Sequence, residues 1–155
     1  MIYPIILLIH SALRWLVLGS VVAVLISACT GLLQARPYRR ADQTLRVVAT
    51  SIVHTQFLIG VYLYTISPLI RYYWRNRSTL GEAPELSFFA LIHIALMTTS
   101  VIVFTVGSSK AKRESDARQQ FKTTAIYFSV GLLLLLLAIP WPFSPLAARP
   151  WFRTA

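Results

Sequence analysis

The sequence predicts an all-α membrane protein, with four transmembrane helices arranged as an up-down-up-down bundle. The 155 residues are 56% hydrophobic and only 13% charged, whereas charged residues make up about a quarter of a typical soluble domain. Four apolar runs each have roughly 17 residues or more, enough to cross a hydrocarbon core about 30 Å thick. Because these runs use most of the chain, we expect a single transmembrane domain over residues 1–155.

The four helices are predicted at approximately residues 2–34, 45–67, 86–107 and 122–140. The second should stop at Ser67-Pro68, because proline lacks an amide donor and disfavours helical geometry in the residue before it. Gly107 is the predicted C-cap of the third helix. The fourth helix contains a run of six leucines and should end at Pro140-Trp141-Pro142.

The distribution of basic residues predicts the orientation. Two connecting segments, Ala35–Arg46 and Ser108–Lys122, should be cytoplasmic because cytoplasmic loops carry an excess of lysine and arginine. Their basic residues are Arg36, Arg39, Arg40, Arg46, Lys110, Lys112, Arg113, Arg118 and Lys122. The opposite side has Arg71, Arg75, Arg77, Arg149 and Arg153, partly offset by Glu82 and Glu85. Both termini are therefore predicted to lie outside.

The net charge of +10 does not indicate a nucleic-acid-binding protein. The basic residues lie in short loops beside the spans and not on one folded face, which fits topology and contact with anionic membrane lipid.

Cys29 is the only cysteine, so an internal disulfide or a c-type haem attached through two cysteines is excluded.

All three histidines lie inside predicted spans, each on a different helix: His10, His54 and His93. Intramembrane ionisable residues are costly and are functional candidates by default. Imidazole is a common axial ligand of haem iron, and helix bundles form cofactor sites from side chains on facing helices. The alternative is that each imidazole is an interhelical hydrogen bonder, which contributes about 0.6 to 2 kcal/mol.

Depth along the helices favours one pair of histidines. His10 and His93 lie about seven or eight residues inside the outer ends of their helices, so they can face each other across one haem. His54 lies roughly 10 Å nearer the cytoplasm. It could bind a second haem together with Met97, contact a quinone oxygen, or be structural. Helix tilt would also allow it to pair with His93.

Arg14 follows His10 by one helical turn and shares its face. This position suits an ion pair with a haem propionate or another anion near the outer surface. An interfacial arginine beside Trp15, marking where a long first helix enters the membrane core, is an equally good interpretation.

Several short motifs carry a resemblance to a known family. They are His10-Ser11-Ala12-Leu13-Arg14-Trp15, His54-Thr55-Gln56, Leu58-Ile59-Gly60, Ser67-Pro68, His93 with Met97, Gly107-Ser108-Ser109-Lys110 and Ala138-Ile139-Pro140-Trp141-Pro142. Over nearly the whole chain, the sequence resembles the short four-helix bacterial membrane proteins labelled cytochrome b-like. The resemblance implies b-type haem and the bacterial cytoplasmic membrane. Unlike the better-studied four-helix b-type cytochromes, the fourth helix here has no histidine.

Three functions remain open from the sequence. The first is a haem b protein that exchanges electrons with a quinol or a respiratory-chain protein, with His10 and His93 as axial ligands. The second is a non-catalytic accessory subunit of a larger membrane complex. The third, a small transporter or metal carrier, is weakened because the spans contain no acidic residue.

Overall fold

The computed structural model describes residues 2–79 and 83–152, and every regular element in these ranges is a helix. Glu82 and Arg153, which entered the charge comparison above, lie outside the described residues. Four helices are long and apolar enough to span a membrane, which confirms the predicted fold class. They are α1 (Ile2–Leu33), α2 (Arg40–Ile66), α4 (Pro84–Arg113) and α5 (Ala117–Ala138), and a shorter helix, α3 (Pro68–Asn76), lies between α2 and α4.

The four long helices form a closed ring in which each helix packs against two neighbours. Helix α1 contacts α2 and α5, and α4 also contacts α2 and α5. Successive long helices are antiparallel, so the starts of α1 and α4 lie beside the ends of α2 and α5. We call this the terminal end of the bundle, and we call the opposite end, with residues 34–39 and 114–116, the loop end.

Glycines allow large rings to pack closely at three helix contacts. Added Cβ atoms at Gly31, Gly107 and Gly131 would overlap the side chains of Phe121, Tyr127 and Phe104. Gly107 lies inside α4, six residues before the last residue of the helix, so the prediction that Gly107 is a C-cap was wrong. Small residues that admit a neighbouring helix are typical of membrane bundles.

The helices at the loop end are longer than the hydropathy pattern predicts. Helix α2 begins at Arg40, α4 continues to Arg113 and α5 begins at Ala117. Asp116 caps α5 by accepting a hydrogen bond from the Gln119 amide over 2.9 Å. Hydropathy locates only the apolar part of each helix, and polar turns extend the helices beyond that part.

Arg46 is the clearest consequence of this extension, because it lies inside the bundle and not in a solvated loop. Only 2% of its surface is exposed. Its guanidinium donates to the Tyr38 hydroxyl over 3.1 Å and to the Ser108 hydroxyl over 3.0 Å, and also to the Ser108 carbonyl. These bonds connect the start of α2 to α4.

The predicted break at Ser67-Pro68 is present, but the chain then forms a helix that was not predicted. Helix α2 ends at Ile66, and Pro68 is the first residue of α3, a position where the missing amide costs no hydrogen bond. Ser67 caps α3 by accepting from the Ile70 amide. Since Ile70 and Tyr73 are buried while Arg71 and Arg75 are exposed, α3 is amphipathic, as expected of a helix at a membrane interface.

Candidate functional site

A cavity of about 270 Å³ lies in the terminal half of the bundle. Its walls come from α1, α2 and α4, with the end of α5, the start of α3 and the C-terminal segment closing it. Most lining residues are apolar. The polar ones are Tyr3, His10, Ser11, Arg14, Gln56, Tyr64, Ser67, His93 and Arg149. Cavities of this kind, apolar with a few convergent polar groups, are the usual form of a small-molecule or cofactor site.

His93 reaches this cavity from an irregular part of α4. Residues Phe88–His93 form a π-helical segment within the longer helix, and such insertions occur frequently at functional sites. The ring of His93 lies 5.9 Å from the Phe89 ring and 6.0 Å from the Phe88 ring, measured between centroids. The two phenyl rings restrict how the imidazole can turn.

The tautomer of His93 follows from its hydrogen bond. Its Nδ1 atom lies 2.8 Å from the carbonyl oxygen of Ala138, at the end of α5. A carbonyl oxygen can only accept, so Nδ1 carries the proton. The neutral ring therefore has its lone pair on Nε2, which makes no hydrogen bond to any described residue. Histidines that bind metals are typically oriented in this way, by an Nδ1–H bond to a carbonyl.

His10 faces the same cavity from α1 and packs against the backbone of α2. A Cβ atom added at Gly60 would lie 3.0 Å from His10 Cε1, so glycine is needed at this position for close approach. Gln56, one turn earlier on α2, donates through Nε2 to the His10 carbonyl over 2.9 Å. The Nδ1 atom of the His10 imidazole is buried without a hydrogen-bond partner in the described chain.

Arg14 and Met97 also line the cavity. Arg14 donates through Nη2 to the Trp151 carbonyl over 2.9 Å, while its Nε atom is buried without a partner. Met97 lies one helical turn beyond His93 on the same wall, further towards the loop end. Of the five residues predicted from the sequence, His10, His93, Arg14 and Met97 are brought together here.

His54 is the predicted residue that does not join them. It is one position away from the cavity-lining Val53 on α2, and it faces α4 outside the cavity. Its Nε2 atom lies 2.8 Å from the Thr105 hydroxyl. Because the single proton of that hydroxyl is donated to the Val101 carbonyl, His54 is the donor. His54 thus connects α2 to α4 as an interhelical hydrogen bonder.

The residues that line the cavity fit a haem b group. Two imidazoles on different helices are of the ligand type that haem iron accepts, and the apolar walls are of the kind that a macrocycle would need. Three polar atoms of the wall, His10 Nδ1, Arg14 Nε and Gln56 Oε1, are buried without partners in the described chain. Buried unsatisfied groups of this kind call for a ligand, water or ion as an explanation.

The sequence contained a signal for two of the residues that were missed. Val53, Gln56, Phe57 and Gly60 are spaced by three and four residues, so they share one face of α2. That spacing predicts that Gln56 and Gly60 lie on the same face of α2 as Val53 and Phe57, and that His54 lies outside this face. Arg149 lies in a segment of irregular structure, and no local pattern indicates that it lines the cavity.

The described residues hold no group of three or more His, Cys, Asp or Glu side chains placed to bind a bare metal ion. In comparisons with known proteins, no family model, no curated protein and no solved structure matches the chain.

Proposed function

We propose that this chain is a haem b-binding membrane protein that transfers electrons, with His10 and His93 as the axial ligands. One observation carries the proposal. The two imidazoles come from different helices and line one apolar cavity inside a membrane-spanning bundle. Helix bundles of other haem proteins form their sites in this way, from side chains on facing helices.

The chain's own residues have distinct tasks in this proposal. The Ala138 carbonyl fixes the tautomer of His93 and leaves Nε2 free. Gly60 provides the space that the His10 ring needs beside α2. Arg14 offers a cationic group one turn from His10, suited to a carboxylate. When bound, haem supplies a reversible one-electron iron centre, which protein side chains do not provide.

The proposed membrane and the proposed electron partner follow from the resemblance to cytochrome b-like membrane proteins. We place the chain in the bacterial cytoplasmic membrane with both termini outside, because the loop end carries most of the basic residues. Membrane lipid surrounds the bundle, and the electron partner is a quinol or a respiratory-chain protein. Because His54 faces away from the cavity, the proposal contains one haem and no His54–Met97 pair.

The test is a dithionite-reduced minus oxidised absorbance spectrum of the detergent-purified protein, produced with ample haem. We expect a b-type Soret shift and α-band in the wild type. His10→Ala and His93→Ala should lose most of the signal. His54→Ala is the matched control and should keep it, because that histidine does not line the cavity. A flat wild-type spectrum would rule out the proposal.

The second candidate is an accessory subunit whose histidines hold helices together. The bonds from His54 to Thr105 and from His93 to Ala138 favour it, since both connect neighbouring helices. His10 does not favour this function, because its buried Nδ1 atom has no hydrogen-bond partner in the described chain. This function predicts co-purification with a large partner and no bound cofactor, so the same spectrum distinguishes the two candidates.

A further inference from the structure

The C-terminal segment, residues 139–152, folds back across the terminal end of the bundle. Its Trp151 carbonyl accepts the hydrogen bond from Arg14. The rings of Trp151 and Phe152 lie 6.2 and 5.6 Å from the Trp15 ring, and that of Trp141 lies 6.3 Å away. Aromatic pairs at such separations stabilise a contact beyond the effect of the area they bury. The segment is therefore fixed to α1 next to the cavity.

This segment also forms part of the cavity wall, through Ile139, Pro140, Arg149 and Pro150. Arg149 is held from two sides. Its guanidinium carbon lies 5.1 Å from the centroid of the Phe89 ring, a cation–π contact, and Nη2 pairs with the Glu85 carboxylate. Glu85 does not line the cavity, so it holds Arg149 from outside the wall.

Arg14 and Arg149 are the charged side chains in the described cavity wall, and no carboxylate accompanies them there. Among the described residues, each retains unused donors. Arg14 has a buried Nε without a partner there, and Arg149 donates to the Ala148 carbonyl through Nη1 and to Glu85 through Nη2. A guanidinium has five N–H donors in a fork that matches a carboxylate.

We propose that Arg14 and Arg149 together bind the anionic end of the ligand, one carboxylate each, so that the C-terminal segment completes the site. This inference rests on the proposed function, because haem b carries two propionates. It assigns a binding role to Arg149. The role of Glu85 is positioning, because it contacts Arg149 and lies outside the wall.

The test compares two porphyrins on unaltered protein: haem b and its dimethyl ester, in which both carboxylates are blocked. Detergent-purified apoprotein is titrated with each, and binding is followed by the Soret band. We expect the wild type to bind haem b about tenfold or more tightly than the ester, as for hydrogen bonds to charged groups. Arg149→Gln should lose a large part of that preference by weakening haem b binding and leaving ester binding unchanged.

Arg75→Gln is the matched control, because it removes the same charge from the terminal end at an exposed residue outside the cavity wall. It should keep the wild-type preference. Equal binding of the two porphyrins by the wild type, or an unchanged preference in Arg149→Gln, overturns this inference while the proposed function stands. If neither porphyrin binds, the proposed function fails and the inference fails with it.

Discussion

The Nδ1–H group of His93 donates a hydrogen bond to the carbonyl of Ala138, with 2.8 Å between nitrogen and oxygen. Ala138 is the last residue of α5, where carbonyls lack a partner within their own helix. The bond therefore satisfies a free carbonyl of one helix and fixes the imidazole of another. It leaves His93 Nε2 as the atom able to bind a ligand in the cavity.

Exogenous imidazole should restore haem binding to His93→Ala. The substitution removes the ring and leaves space in the cavity wall, into which a free imidazole fits. We expect millimolar imidazole to recover part of the reduced-minus-oxidised signal. His54→Ala is the control and should show the same spectrum with and without imidazole. A His93→Ala protein whose spectrum equals that of the wild type would contradict the assignment.

Gly60→Val should weaken haem binding without unfolding the protein. Even the Cβ atom of alanine at this position would lie 3.0 Å from His10 Cε1, and the larger valine moves the ring into the cavity. Overpacking costs about 1–3 kcal/mol, so we expect haem affinity to fall about tenfold.

The control for that change is Gly19→Val, since nothing lies within 4 Å of an added Cβ there. Its haem affinity should equal that of the wild type in the same Soret titration. If the two variants behave alike, Gly60 does not determine the position of His10.

The pair His54–Thr105 should stabilise the bundle without affecting the cofactor. Interhelical hydrogen bonds in membrane proteins contribute about 0.6 kcal/mol on average. We expect a coupling of that size in a double-mutant cycle of His54→Ala and Thr105→Val, measured by unfolding in mixed micelles of mild detergent and SDS. All members of the cycle should keep the b-type spectrum. Loss of the spectrum in His54→Ala would mean that this histidine takes part in the site.

Arg46→Ala should destabilise the loop end. The substitution removes charge-assisted bonds to Tyr38 and Ser108 and leaves a cavity where the side chain was fully enclosed. Together these losses predict a decrease of about 2–4 kcal/mol in the free energy of unfolding. Arg40→Ala, at an exposed position of the same helix, should change it by less than about 0.5 kcal/mol. Equal effects of the two substitutions in SDS titrations would show that Arg46 is not structural.

The orientation can be tested by labelling single cysteines in a Cys29→Ser background. A membrane-impermeant maleimide should label Thr79→Cys in intact spheroplasts, because Thr79 is exposed at the terminal end. Ser115→Cys, exposed in the loop between α4 and α5, should react only after permeabilisation. The reverse pattern would place the termini in the cytoplasm and contradict the orientation taken from the basic residues.

Hydropathy and local chemistry determined the four spans and the break at Ser67-Pro68. Both depend on short stretches of sequence: a run of apolar side chains needs the bilayer as solvent, and a proline inside a helix removes an amide donor and disrupts the preceding turn. The same patterns placed the histidines on three different helices. The polar turns at the loop end were missed, because hydropathy has no signal where a helix leaves the membrane core.

Which of these side chains meet depends on how the helices pack against one another. Whether His54 or His10 faces His93 depends on the rotation of each helix about its axis, and one inserted residue in a π-helical segment turns the following face by about 100°. The close contact of Gly60 with His10, and the return of Arg149 to the cavity, bring together residues far apart in the chain. The order of residues along the chain is enough to predict which segments span the membrane and which side chains each helix carries. The face that each helix turns towards the cavity is set by packing, because it depends on all four helices at once.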